Sequence, residues 1–432
     1  MRTIGFRIIL FGLALVIVTL NVRLNAQSRP NQFVPFSDFL METTVADSSE
    51  YLARETSHVK DAASFEQMRQ YILSMYQDIE VTHSFLLYSD YVDCVPITEQ
   101  PSVRLLGLKK IASPPVQWIL SNGGPLGETV TTATQAEPGN QFDEFGNSAH
   151  CEKNTIPMRR ITLDEVARFV TLSDFFKKAP DDVSHKYAHA YQSVDNLGGS
   201  STLNIWRPYV NESSGEIFSL SQVWYVGGSG ANLQTVEGGW QNYPVKYGNQ
   251  NSRLFIFWTA DNYQHGCYNL DCPAFVQTDN TWTLGGGFQN YSTAGGSQYD
   301  FQLLWKFIDP NWWLGIGGTF IGYYPGLIFG NGQLTRKAQR IDYGGETVGG
   351  ALPDDSYPPM GSGDWANKGY KYAAYQKQIV YLNTDSKAKA PTLTKDQPSK
   401  DCYTITDPST YTNWFWGVSF FFGGPGGPGW KC

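Results

Sequence analysis

The chain has 432 residues, 15 % of them aromatic and 17 % charged, with a net charge of −8. That length holds two or three domains with ample core, and an aromatic-rich, charge-poor composition fits a β-rich exported protein better than a helical cytosolic one. The negative charge, −7 on residues 27–180 and −4 on residues 181–432, excludes electrostatic steering toward nucleic acid.

Residues 1–26 read as a secretory signal. Arg2 and Arg7 form its positive end, Ile8–Leu20 its apolar core and Leu24-Asn25-Ala26 its cleavage site. The apolar run is shorter than the roughly 20 residues a spanning helix needs, so no membrane association is expected once the signal is removed. Six cysteines in an exported chain predict three disulfides, with fifteen possible pairings. Cys267 and Cys272 are close in sequence, Cys402 and Cys432 bracket the C-terminal tail, and Cys94 and Cys151 remain as an N-terminal pair. A zinc site around His265, Cys267 and Cys272 is the competing reading; no fourth ligand supports it, and no metal or other cofactor is expected.

Residues 27–180 hold eleven of the fifteen glutamates and one of the thirteen tryptophans, which sets them apart from the rest. Asp61–Ile79 has helical periodicity through Phe65, Met68, Ile72, Met75 and Ile79. Thr162 and Glu165 form a capping box ahead of Val166, Phe169 and Val170. Residues 112–127 and 136–147 read as loops. From about residue 181 the pattern turns to strands, at Phe218–Val226, Arg253–Ala260, Phe301–Ile308, Trp312–Ile321 and Ile379–Leu382, separated by Gly and Asn clusters. This predicts a mainly β chain: an antiparallel β-sandwich over 181–432, preceded by a smaller mixed α+β domain over 27–180. The Gly- and Pro-rich tail 423–429 reads as a loop held by Cys432.

Only four glutamates lie beyond residue 180, and two of them, Glu237 and Glu346, sit beside glycine pairs. Two close carboxylates share a proton, so one member serves as base and the other as acid. The competing reading makes them unrelated residues of Gly-rich turns. No Gly-x-Ser-x-Gly elbow or His-Glu-x-x-His helix offers other chemistry. Gln222 is a candidate oxyanion or water ligand, and Trp240, Trp258 and Tyr299 are candidates for an aromatic wall, with core packing as the plainer role of the aromatics. His185 and His189 have the spacing of a helical metal pair but no carboxylate companion. Asn211 and Asn290 begin glycosylation sequons.

The blocks Glu237-Gly-Gly-Trp-Gln-Asn-Tyr-Pro244, Arg253–Asp261, Gly266–Cys272, Gly322-Tyr-Tyr-Pro325, Tyr343-Gly-Gly-Glu346 and Met360–Gly363, with the Gly-rich tail, resemble the neprosin family of glutamic peptidases. Asp93-Cys-Val95 and Cys151–Arg160 resemble the propeptide domain that precedes it in plants. The resemblance implies a secreted zymogen with a cleft across one sheet, Glu237 and Glu346 as the catalytic pair, activity in acid and cleavage after proline. Gly238 and Tyr343 depart from the residues common in plant relatives, which bears on the depth of the substrate pocket.

The sequence thus reads as the precursor of a secreted glutamic endopeptidase, a monomer whose partners are peptide or protein substrates and its own propeptide. A glycoside hydrolase using the same carboxylates is the alternative; a non-catalytic carbohydrate-binding sandwich is a third. The acidic residues of 27–180 are expected to hold that domain on the cleft through charge pairs, and the turn-prone segment around Pro180 to be the processing site.

Overall fold

Period-two alternation of apolar and polar residues builds two large antiparallel sheets. The computed structural model describes residues 32–116, 131–132, 134–135, 142–352, 354–410 and 415–432, so the signal reading over 1–26 and much of the two loop readings lie outside the described residues. Residues 35–432 form one compact unit.

The N-terminal region contains helices α1 (Phe36–Val45), α2 (Ala62–Tyr76), α3 (Leu163–Val166) and α4 (Leu172–Phe176), and a three-stranded sheet of β1 (His83–Leu87), β2 (Asp90–Pro96) and β3 (Thr155–Arg159). Helix α2 starts where the Asp61 side chain accepts the Ser64 N–H, and it buries Phe65, Met68, Ile72 and Met75 as their spacing requires. It stops at Tyr76, and Ile79 packs from outside the helix. The capping box expected at Thr162 is only half made. Thr162 accepts the Glu165 N–H, but the Glu165 carboxylate is committed to Arg159 through two 2.6 Å hydrogen bonds. The reciprocal box forms instead at Thr171 and Asp174, at the start of α4.

The first large sheet has seven strands. In spatial order they are β9 (Gly266–Tyr268), β8 (Arg253–Thr259), β7 (Gln234–Asn242), β6 (Glu216–Gly227), β14 (Ala338–Gly350), β4 (Val183–Asn196) and β16 (Thr394–Asp396). The second has eleven strands. Its main path runs β10 (Val276–Gln277), β13 (Thr319–Tyr324), β12 (Asn311–Ile316), β11 (Tyr299–Ile308), β5 (Gly198–Asn204), β15 (Ala374–Leu382), β18 (Val418–Gly423) and β17 (Thr404–Ile405). The segment Trp312–Ile321, expected as one strand, is a hairpin: Gly317 and Gly318 both take positive φ and turn β12 into β13. The tail is not wholly irregular either, since Gly427–Pro428 pairs with Ser356–Tyr357 and Cys432 is bonded to Cys402. The other disulfides join Cys94 to Cys151 and Cys267 to Cys272, so no thiol of the proposed zinc site is free.

Residues paired across antiparallel strands share a face, and each strand alternates between faces. On the inner face of the seven-stranded sheet, Trp240 donates to Asn204 O, Tyr225 packs on Trp312, and Gln376 donates to Gln222 O. The glycine pairs are in strands, not turns. A Cβ on Gly238 would stand 3.1 Å from Leu303 and from the Trp305 indole nitrogen, so this residue is set by contact between the sheets. A Cβ on Gly239 would stand 1.9 Å from Ser221 O, in the neighbouring strand's backbone. Gly239→Ala must therefore push β7 from β6. It should lower unfolding stability by about 3 kcal/mol, read by urea denaturation at neutral pH.

Candidate active site

The strand order places β6 between β7 and β14, so Glu237 and Glu346 stand on strands about 10 Å apart in the sheet. Register puts Glu237 beside Trp224, Gln222 beside Gly344, and Glu346 beside Leu220 on one side and Tyr187 on the other. All these side chains emerge on the face turned away from the second sheet. The two carboxylates lean toward each other across β6, and a third group joins them. The Lys178 Nζ lies 2.6 Å from Glu237 Oε2 and 3.0 Å from Glu346 Oε2.

Each carboxylate thus has one oxygen fixed by the scaffold and one facing the ammonium. Glu237 Oε1 accepts from the Thr235 hydroxyl at 2.7 Å and the Tyr263 hydroxyl at 2.9 Å. Glu346 Oε1 lies 2.6 Å from His185 Nδ1 and accepts from Tyr187 at 3.3 Å. Gln222 Nε2 donates to Glu346 Oε2 at 2.9 Å, while its own Oε1 is buried with no partner among the described residues.

Glu237 is 0 % and Glu346 1 % exposed. Burial alone would raise the Glu346 carboxyl, but the charges of Lys178 and His185 outweigh it and hold the group down at about 2. Burial works against the Lys178 ammonium too, and the two carboxylates overcome it, so its value is raised. Burial and the adjacent carboxylates raise the Tyr263 and Tyr187 phenols, which therefore stay protonated as donors.

Lys178 belongs to the N-terminal region and is held on both sides. Phe175, at the end of α4, is buried against Tyr71 and Phe169, and its carbonyl accepts from Lys246 Nζ. The Lys178 carbonyl accepts from Tyr268 at 2.8 Å. Around this anchor lies a buried charge network. Lys246 sits 2.9 Å from Asp271, Arg159 sits 4.0 Å from it, and Arg253 pairs with Asp90 of β2.

The structure brings Gln222 to the glutamate pair but not the three aromatics. Trp240 is fully buried between the sheets. Trp258 also faces inward, near Tyr324 and Phe329, and Tyr299 opens β11 in the other sheet. The expected aromatic wall is corrected on simple grounds: an odd offset along a strand turns a side chain to the opposite face. The same parity corrects the reading of Gly238 and Tyr343. Both face the second sheet and bear on layer packing, not on a pocket. His185 and His189 lie on a strand, not a helix. His185 meets Glu346, whereas His189 lies 3.1 Å from Asp342 and 3.3 Å from Asp396. Sequence reading missed Lys178, Tyr187, Thr235 and Tyr263. Thr235 was findable, two residues from Glu237 on one strand; nothing local marked Lys178.

Two carboxylates with scaffold-fixed outer oxygens and adjacent inner oxygens have the parts of an acid–base hydrolase. Residues 215–425 match the Neprosin family model. Among solved structures, Scytalido-glutamic peptidase with a peptide-based transition-state analogue aligns at 11 % identity and TM-score 0.31 over 56 % of this chain and 98 % of its own. SCP-B, an Eqolisin-family peptidase in complex with the tripeptide Ala-Ile-His, aligns at 10 % identity and TM-score 0.29, with the same coverage. The chicken-liver agglutinin CG-16 aligns at 10 % identity and TM-score 0.19 over 39 % of this chain and 92 % of its own.

Removing the ammonium leaves two buried carboxylates with only the His185 imidazole, beside Glu346, to offset them. Lys178→Met should destabilise the full chain by about 3–5 kcal/mol at pH 7, and by much less in acid, where the pair can take up a proton. Denaturant melts at pH 7 and pH 4 measure the difference.

Proposed function

We propose that this chain is the exported zymogen of an endopeptidase in which Glu237 and Glu346 activate water between them, and that residues 27–180 keep it silent by inserting Lys178 into the pair. The observation that carries this reading is the single ammonium in contact with the inner oxygen of both carboxylates. That position lies within reach of both an acid and a base, where a hydrolytic water has to be. While Lys178 fills it, neither water nor a scissile carbonyl can enter. Among the described residues no helix is long and apolar enough to cross a membrane.

The charge that closes the site has the opposite sense from the sequence expectation. It is a cation of the N-terminal region held by acids of the sheet; Asp90 with Arg253 is the pair of the expected sense. The pH dependence follows from the depressed Glu346 carboxyl. A group held below its ordinary value stabilises the closed state fully above that ordinary range, and the contribution falls away as pH drops toward about 2. Acid therefore loosens the Lys178 contact. Once Lys178 leaves, the two carboxylates share a proton, which is the form that hydrolysis in acid requires.

Processing follows from the same geometry. Pro180, Asp181 and Asp182 are exposed, between buried Lys178 and the start of β4. Cleavage here separates Lys178 from the seven-stranded sheet without removing any of that sheet's strands, and the family's preference for proline suits self-cleavage after Pro180. Acid should convert the full chain to a product starting near residue 181, seen by gel time course and N-terminal sequencing; a product starting inside the sandwich rejects this.

Glu237→Gln and Glu346→Gln should each fold yet lose peptidase activity by orders of magnitude, with the double variant little worse than either, because the pair acts as one device. The assay is hydrolysis of a proline-containing peptide in acid, with a glycan panel alongside. Near-wild-type turnover in either single variant, or hydrolysis of glycans alone, rejects the assignment.

A further inference from the structure

The two carboxylates are not equivalent, and the difference lies in what remains when Lys178 is gone. Glu237 keeps two neutral hydroxyl donors, Thr235 and Tyr263, both on Oε1. Glu346 keeps Tyr187 on Oε1, Gln222 on Oε2, and the imidazole of His185 at 2.6 Å. Apart from Lys178, His185 is the only group among the described residues that can bring a positive charge into contact with either carboxylate. The imidazole is one-third exposed, so water can deliver its proton, while the carboxylate it meets is buried.

We infer that His185 is the positioning residue that makes Glu346 the base of the pair and leaves the shared proton on Glu237. The inference rests on the paired-carboxylate reading above. An imidazole becomes cationic in mild acid, which is where the enzyme is proposed to work. Beside the imidazolium and the Gln222 amide, Glu346 is the carboxylate better held as an anion. Glu237, with neutral donors only and its Oε2 freed by Lys178, is the one that carries the proton.

The step balances on this assignment. Glu346 Oε2 takes a proton from water as the water oxygen bonds to the scissile carbonyl carbon. The carbonyl oxygen receives the electron pair and takes the Glu237 proton, giving a neutral gem-diol. On collapse, Glu346 returns its proton to the amide nitrogen as the C–N bond breaks, and Glu237 recovers a hydroxyl proton. His185 keeps its own proton throughout.

The titratable and charged groups around His185 are Glu346 on β14, Tyr187 on its own strand, where the rings stack at 6.2 Å, and Lys178 from the segment before β4. Glu237, with Tyr263 bound to it, completes the set across the Lys178 ammonium. Phe218 closes the remaining side and carries no charge.

The test is the pH profile of kcat/KM for the acid-activated full chain, for wild type, His185→Gln and His185→Lys, on one proline-containing peptide. His185→Gln keeps a donor but loses the charge. Its acid limb, where Glu346 takes a proton, should move up by about one pH unit, so activity at the wild type's lower half-point falls roughly fivefold. His185→Lys restores a cation and should bring the limb back. A purely structural role would lower the rate at every pH and leave the limb in place; superposable acid limbs for wild type and His185→Gln overturn the inference. If His185→Gln does not fold, carboxyl-carbon NMR of Glu346 decides in the inactive full chain carrying Glu237→Gln and Lys178→Met. Titration below the ordinary carboxylate range supports the role, and titration at or above it overturns the role. Active Glu237→Gln or Glu346→Gln variants would instead reject the paired-carboxylate reading itself, so the two failures are distinct.

Discussion

One ammonium ion buried between two carboxylates is the constraint around which the rest of this molecule is arranged. Two carboxylates withdrawn from water repel each other and lack solvation, so the sheet cannot hold both ionised without a partner. Lys178 meets that need, and it arrives from outside the sandwich. Its placement requires that the backbone on either side be fixed. Phe175 in its aromatic nest does this before the lysine, and the Tyr268 hydrogen bond to the Lys178 carbonyl does it at the residue itself. The buried pairs of Lys246 with Asp271 and Arg253 with Asp90 lie in the same contact between N-terminal region and sheet. The filling of the site and the seating of the N-terminal region on the sheet thus meet in one electrostatic contact.

The sandwich contributes the geometry. A glutamate on each of two strands, with one strand between them, is too far apart for direct contact of the backbones but close enough for side chains to meet over the intervening Gln222. The outer oxygens are tied to hydroxyls and an imidazole that the adjacent strand positions and one loop supply. Only the inner oxygens are left to react. Such preorganisation keeps the carboxylates from collapsing onto alternative donors in the absence of the Lys178 ammonium. On the other face, the glycines next to the glutamates let the neighbouring strand and the second sheet approach closely, which fixes the strands that carry the pair.

Much of this was legible in the sequence. Period-two patterning gave the sandwich, the helical spacing of Phe65, Met68, Ile72 and Met75 gave α2, and the scarcity of glutamate beyond residue 180 singled out Glu237 and Glu346. These signals are local, because alternation and helical period are properties of consecutive residues. The misreadings have one physical source. As residue types Trp240 and Trp258 suit a cleft wall as well as a core, and Gly238 and Tyr343 bear on pocket depth only if they face the cleft, yet strand parity turns all four to the inner face. Glu165 was assigned to a cap by its spacing, and Arg159 claimed it from another element.

The sequence by itself determined which residue types were available for chemistry and which segments would be strands, since burial of an alternating apolar face leaves little choice of local structure. Only the tertiary structure decided which groups meet. Strand order placed β6 between the glutamates, and long-range packing carried Lys178 across 59 residues of sequence to Glu237 and 168 to Glu346. Nothing in the neighbourhood Lys177-Lys178-Ala179 distinguishes the lysine that binds solvent-exposed Asp181 from the one that closes the site. That distinction is energetic and collective: a lysine is buried only where two carboxylates from distant strands repay its lost hydration, and such a place exists only after the sheet has formed.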